Sequence, residues 1–207
     1  MSLYPIFLKL EGHKVLIVGG GAVAEQKIEA VLRSATDVTV IAPRVTDRIR
    51  EWAGQVRVKL VAEEYSAGMA QGYFLVIACT DSEAVNRAVY DEATRSGALA
   101  NAVDDPEYCS FYAAAVVSRG DFQIAISTGG HSPALAQQVR QELEVKYGLE
   151  YGPWTAWLGR TRALLRRALP RSAGRQQMLH LLALARPKKF SHVETSKGGS
   201  YGSIQER

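Results

Sequence analysis

The stretch Lys14-Val-Leu-Ile-Val-Gly-Gly-Gly-Ala-Val-Ala-Glu-Gln-Lys27 decides how this chain folds. Five strand-type residues lead into Gly19, Gly20 and Gly21, and Ala24, Ile28, Val31 and Leu32 then recur at helical spacing. The pattern predicts a strand, a tight turn and a helix. Gly19, Gly21 and Ala24 fit G-x-G-x-x-A, in which absent side chains let the backbone approach a pyrophosphate at the positive end of a helix. Glycine turns also end strands that bind nothing. This one heads a βαβ unit, which favours a dinucleotide site with Gly19, Gly21, Ala22 and Val23 as its contacts.

Outward from the turn, Tyr4-Pro-Ile-Phe-Leu-Lys-Leu10 is read as an irregular lead-in whose apolar groups cover the sheet. Asp37-Val-Thr-Val-Ile-Ala-Pro43 is a second strand, rich in β-branched residues and ended by proline. Many NAD-binding folds end this strand with an acidic residue that holds ribose hydroxyls, whereas Ala42, Pro43 and Arg44 stand here. Backbone around Pro43 contacting the adenosine and Arg44 meeting a 2′-phosphate are both open, so the pattern does not separate NAD from NADP. Residues 44–53 read as a short helix and residues 56–61 as a third strand. The apolar run from Gly72 to Asp81 suits a central strand buried on both faces. Its carboxyl end carries Thr80 and Asp81, facing the same crevice as the glycine turn; Asp81 or Ser82 also serves to cap a helix over 83–96. Residues 98–103 make a fifth strand. This alternation predicts an α/β fold, a Rossmann-like doubly wound parallel sheet.

From Asp104 the style changes. Residues 104–111 form a loop, and two β-type runs, 113–118 and 122–127, flank the turn Arg119-Gly-Asp121 as a hairpin. Thr128-Gly-Gly-His-Ser-Pro-Ala134 leads into a helix ending near Tyr147, with Ser132 as N-cap and Pro133 in the first turn. Thr128, Gly129, Gly130, His131 and Ser132 at a helix start offer an anion site, and a well-capped helix accounts for the same residues. Residues 151–186 read as two helices with Arg160, Arg162, Arg166, Arg167, Arg171 and Arg175 around them. The expected organisation is a nucleotide-binding domain over 1–112, a small α+β region over 113–150, a basic helical region over 151–187 and a disordered tail over 188–207.

Composition bounds the rest. A chain of 207 residues with 47% hydrophobic content holds a buried core. No apolar run approaches the roughly 20 residues of a membrane span, and Met-Ser-Leu-Tyr-Pro does not open a secretion signal. The expected location is the cytoplasm, away from membranes. Cys79 and Cys109 make no disulfide framework and have no metal-ligand spacing, so no metal ligands are expected. Residues 1–150 carry 14 Lys+Arg against 19 Asp+Glu, and residues 151–207 carry 11 against 2. That basic end suits a polyanionic small molecule or a solvated helix face. Its arginines are not interleaved with exposed aromatics, which argues against nucleic acid.

Several stretches belong together: Pro5-Ile-Phe-Leu8, Val18 to Ala24 with Lys27, Val38 to Pro43, Ile77 to Asp81 with Val85-Asn86, Asn101 to Pro106, Cys109-Ser-Phe111, and Ala125 to Ala136. Over residues 4–146 the chain resembles the siroheme synthase, or precorrin-2 dehydrogenase, family. The resemblance implies oxidation of precorrin-2 to sirohydrochlorin with NAD⁺ as hydride acceptor; some members also insert Fe²⁺. The family's aspartate of that chemistry falls on Asp104, with Asp105 its adjacent rival, and a position commonly serine in the family is Thr128 here. The family is dimeric, and the region after the nucleotide-binding part serves the subunit contact and the tetrapyrrole. A homodimer is therefore expected, with residues 113–150 as the dimerisation region. No methyltransferase domain follows, so a stand-alone enzyme is expected. Precorrin-2 carries eight carboxylates, which suits the 128–132 segment and the basic helices. A module that senses NAD without chemistry would need the glycine turn but neither Asp104 nor the 128–133 segment.

Overall fold

Five strands, β1 (Lys14–Val18), β2 (Asp37–Ile41), β3 (Lys59–Val61), β4 (Leu75–Ala78) and β5 (Leu99–Ala102), pair in parallel in the order β3-β2-β1-β4-β5. The structure is a computed structural model describing residues 3–169, 173–184 and 187; Arg171 and the expected tail 188–207 lie outside these. Helices α1 (Ala22–Val31), α2 (Asp47–Gly54) and α3 (Glu83–Arg95) complete the doubly wound fold that the alternating pattern predicts. Strand order reverses between β1 and β4, the position at which such sheets open a crevice. Val18 pairs with Ile41 on one side and Ala78 on the other, and Ala78 with Ala102, so four strand ends finish level.

The pleat divides the core. Val15 and Ile17 join Ala24, Ile28, Ile49 and Trp52 on one face; Leu16 and Val18 join Val76, Val89 and Ala93 on the other. Val15, Leu16 and Ile17 are wholly buried, as a strand covered on both faces requires.

The local departures have physical reasons. Helix α2 starts at Asp47 rather than Arg44, because Thr46 Oγ1 caps it by accepting from the Ile49 amide at 3.3 Å. The third strand shortens to three residues because Val56 sits at φ +58, outside any strand conformation. Residues 106–108 form one 3₁₀ turn within the expected loop. In the lead-in, Leu8 and Leu10 pack on the core, but Tyr4, Ile6 and Phe7 are exposed and do not cover the sheet.

The connection from β3 to β4 is tied to α3 by a buried carboxylate. Glu92 accepts from the Tyr65 hydroxyl at 2.6 Å, the Gly68 amide at 2.9 Å and the Ala70 amide at 2.8 Å. Burial pushes its carboxyl up, but these donors, the Tyr65 hydroxyl foremost, outweigh burial and hold it below the ordinary glutamate range.

The described residues divide into two compact units: 3–113 with 129–132, and 114–128 with those from 133 onward. In the second, β6 (Ala115–Arg119) and β7 (Phe122–Ile126) form an antiparallel hairpin, followed by α4 (Pro133–Lys146), α5 (Tyr151–Ala168) and α6 (Ala173–Leu184). Arg119 ends β6 and donates to the Tyr147 carbonyl at 3.1 Å and the Glu144 carbonyl at 3.3 Å, satisfying the end of α4. Phe122, Tyr147 and Tyr151 form a ring cluster with centroids 5.0–5.5 Å apart. On α5, Trp154 and Trp157 stack at 4.8 Å. Among the described residues of this unit only Val117 and Ala136 are buried, and α5 buries none. No described helix is long and apolar enough to cross a membrane.

Glu92→Leu, which strips the acceptor from two amides and a hydroxyl, is expected to lower unfolding free energy by about 3 kcal/mol in urea titrations. Because the folded carboxyl is held below its unfolded value, its contribution is complete above the unfolded pKa. That contribution fades as pH falls through the depressed one. Glu92→Gln is expected to flatten that acid-side loss of stability.

Candidate functional site

The glycine turn is closed by backbone pressing on backbone. A Cβ at Gly20 would lie 2.1 Å from the Arg44 carbonyl oxygen, and one at Gly19, where φ is +129, would lie 2.6 Å from that of Cys79. The Thr46 amide donates to the Gly20 carbonyl and the Gly19 amide to the Ile41 carbonyl, both at 3.0 Å. These contacts place Pro43 and Arg44, both exposed, beside the turn.

Gly21 differs from its neighbours. Its N-cap conformation (φ −84, ψ −170) suits any residue, and a Cβ there would meet nothing within 4 Å. No side chain caps α1, and Ala22 and Val23 in its first turn are exposed. The turn therefore presents amide donors and the positive helix end toward open space, which fits a pyrophosphate. A nicotinamide dinucleotide would be held here by the amides at Gly21, Ala22 and Val23.

At the end of β4, Asn86 performs a task that the G-x-G-x-x-A pattern does not reveal. This buried side chain accepts from the Thr80 amide at 3.0 Å and lies 2.7 Å from Thr80 Oγ1. Its Nδ2 donates to the Thr80 carbonyl at 3.0 Å. Thr80 is thus fixed to α3, and its hydroxyl accepts from the Ser82 amide at 3.2 Å. Of the two candidate caps, Ser82 caps α3, through the Val85 amide at 3.4 Å, leaving exposed Asp81 without that duty. The Cys79 thiol points at the Val18 carbonyl, and burial pushes it up to about 11, so it stays protonated and fills space.

The Val103 amide donates to the Ala78 carbonyl at 2.9 Å, bringing the end of β5 beside that of β4. The next residue, Asp104, has φ +65, a left-handed conformation that costs on the order of 1 kcal/mol outside glycine and that aspartate tolerates better than most. Asp104 is exposed, and among the described residues nothing donates to its carboxylate. Asp105 differs: Arg87 Nε donates to its Oδ2 at 2.9 Å. Behind the turn, Asn101 Nδ2 donates to Cys109 Sγ at 3.1 Å and to the Phe111 carbonyl at 2.9 Å. The Cys109 thiol lies 3.2 Å from the carbonyls of both Ala102 and Asp105. Burial foremost holds that thiol above the ordinary range, which suits a packing role.

Residues 129–132 group with the first unit and Thr128 with the second. Gly129 and Gly130 have φ of +65 and +85, two successive left-handed residues before α4 begins at Pro133. His131 is exposed, with its ring against Gly129.

A doubly wound sheet with a glycine turn and an uncapped helix at its switch point defines a dinucleotide-binding protein. The chain matches a family model described as NAD(P)-binding over residues 6–115, and one described as sirohaem biosynthesis protein, central, over residues 119–146. It belongs to the siroheme synthase family of NAD(P)-binding proteins. It is 34% identical over 169 residues to siroheme synthase of Nitrosococcus oceani, covering 82% of this chain and 36% of that protein. It is 40% identical over 156 residues to siroheme synthase 2 of Halorhodospira halophila, covering 73% and 31%. The chain thus spans about a third of the length of these relatives. A solved structure, SirC, precorrin-2 dehydrogenase, matches with a TM-score of 0.74 at 28% identity, covering 87% of this chain and 89% of that one.

Two substitutions separate the turn's structural and binding demands. Gly20→Ala, driven into the Arg44 carbonyl, is expected to cost about 3 kcal/mol or more and lower Tm. Gly21→Ala is expected to fold with little change in Tm yet weaken nicotinamide dinucleotide binding about tenfold or more, measured by calorimetry with NAD⁺ and NADP⁺.

Proposed function

We propose that this protein oxidises precorrin-2 to sirohydrochlorin in sirohaem biosynthesis, with NAD⁺ as hydride acceptor. One observation carries the reading: an exposed carboxylate, Asp104, on left-handed backbone just past β5, the second strand over from β1 and its glycine turn, with no donor to it among the described residues. Kinship with siroheme synthases and likeness to SirC, precorrin-2 dehydrogenase, support the same substrate.

The bound nicotinamide supplies the hydride acceptor. The chain supplies the rest. The amides at Gly21 to Val23 hold the pyrophosphate, while Pro43, Arg44, Thr80 and Asp81 border the nucleotide. Oxidation of the macrocycle releases a hydride and a proton, and Asp104 takes the proton. Asp105 is already neutralised by Arg87, which favours Asp104 over its neighbour as proton acceptor. Thr128, Gly129, Gly130, His131 and Ser132 receive substrate carboxylates.

A homodimer, acting in the cytoplasm, completes the reading. A two-stranded hairpin is marginal alone, and β6–β7 with α4 bury only Val117 and Ala136 among the described residues, which suits a surface covered by a second copy.

Anaerobic incubation with precorrin-2 and NAD⁺ is expected to give sirohydrochlorin absorbance, and Asp104→Ala is expected to lose turnover by about a hundredfold or more while binding NAD⁺ normally. Absence of product, or full turnover by the variant, overturns the proposal. Higher kcat/KM with NADP⁺ would transfer the preference to the phosphorylated cofactor through Arg44. Adding Fe²⁺ to sirohydrochlorin with and without the protein measures iron insertion as a second reaction.

A further inference from the structure

The turn carrying Asp104 is fastened from outside by one side chain. Arg87, on the second turn of α3, donates through Nε to Asp105 Oδ2 at 2.9 Å, where the Asp105 side chain is only 19% exposed. The same guanidinium lies 5.0 Å over the Tyr108 ring, whose edge meets Tyr90 of α3 at 5.4 Å. The Tyr108 amide donates to the Asp105 carbonyl at 3.0 Å, and the Asp105 amide to the Ala102 carbonyl at 3.2 Å. Asp104 sits inside this frame at φ +65, and among the described residues nothing holds its own carboxylate. Its direction is therefore set by the residues around it.

We propose that Arg87 is a positioning residue for Asp104, tying Asp105 and Tyr108 to α3, holding the left-handed turn in place and neutralising the carboxylate next to the reactive one. This inference rests on the reading of Asp104 as proton acceptor. Adjacent carboxylates raise each other's proton affinity, and a paired guanidinium removes that penalty. The other charged or titratable groups at the turn are Glu83, 3.6 Å from Arg87; Glu107 and Tyr108 in the 3₁₀ turn; Tyr90; Cys109; and Lys27 of α1, whose charge acts on Cys109.

The test compares Arg87→Gln, Arg87→Lys, Asp105→Asn and the double variant Arg87→Gln/Asp105→Asn in the full chain with precorrin-2 and NAD⁺. The base must be ionised, so kcat/KM falls as pH drops through its pKa. Arg87→Gln is expected to move that acid limb up by about half a pH unit. It is also expected to lower kcat about tenfold, through a misaimed carboxylate. KM for NAD⁺ should stay within about twofold. Arg87→Lys keeps the charge and should hold the limb in place with part of kcat recovered. The double variant should return the limb but not kcat, separating charge from geometry.

A wild-type limb and wild-type kcat in Arg87→Gln overturn the inference when Asp104→Asn is inactive. An active Asp104→Asn overturns the reading of Asp104 instead. If circular dichroism shows that Arg87→Gln does not fold, Asp105→Asn decides. It leaves Glu83 as the carboxylate partner of Arg87 and should move the limb down, and an unmoved limb refutes the proposal.

Discussion

Everything at the crevice depends on main chain lying against main chain at two glycines. The Arg44 carbonyl occupies the space of a Gly20 side chain, and the Cys79 carbonyl that of Gly19. These approaches draw the ends of β2 and β4 to either side of the end of β1. The strand ends themselves finish level. A site built this way fixes where a dinucleotide can lie before any specific contact forms.

Two carboxylates show how differently one chemical group can be placed. Glu92 is buried and accepts three hydrogen bonds, so it has little capacity left for anything but holding the 65–70 segment. Asp104 is exposed, is held by nothing among the described residues and stands in a conformation that costs free energy. Such strain persists only where the surroundings over-determine it, here the frame that Arg87, Asp105 and Tyr108 build around the turn.

Local chemistry was legible in the chain; partners distant in sequence were not. The strand–turn–helix around Gly19, the β-branched second strand and the apolar fourth follow from residues within one short window. Gly20 stands at an unspecified position of the G-x-G-x-x-A pattern, yet it is the tightest of the three glycines because Arg44 reaches it from another loop. Thr46 rather than Arg44 starts α2 because a hydroxyl can cap and a guanidinium there cannot. Within the site, the glycines stood out by type and Asp104 through the family resemblance. Asn86 belonged to a familiar stretch, but its clamp on Thr80, like the pairing of Arg87 with Asp105, exists only once α3 lies beside two strand ends.

The distribution of tryptophan has an optical consequence. Trp52 lies buried under the sheet of the first unit, while Trp154 and Trp157 stack on α5 of the second, and the chain holds no other indole. A shielded indole emits toward the blue, whereas a stacked pair couples its strong transitions into a split dichroic band in the far ultraviolet. Each unit therefore carries its own unlabelled reporter, and one sample can reveal whether the two melt together or in sequence.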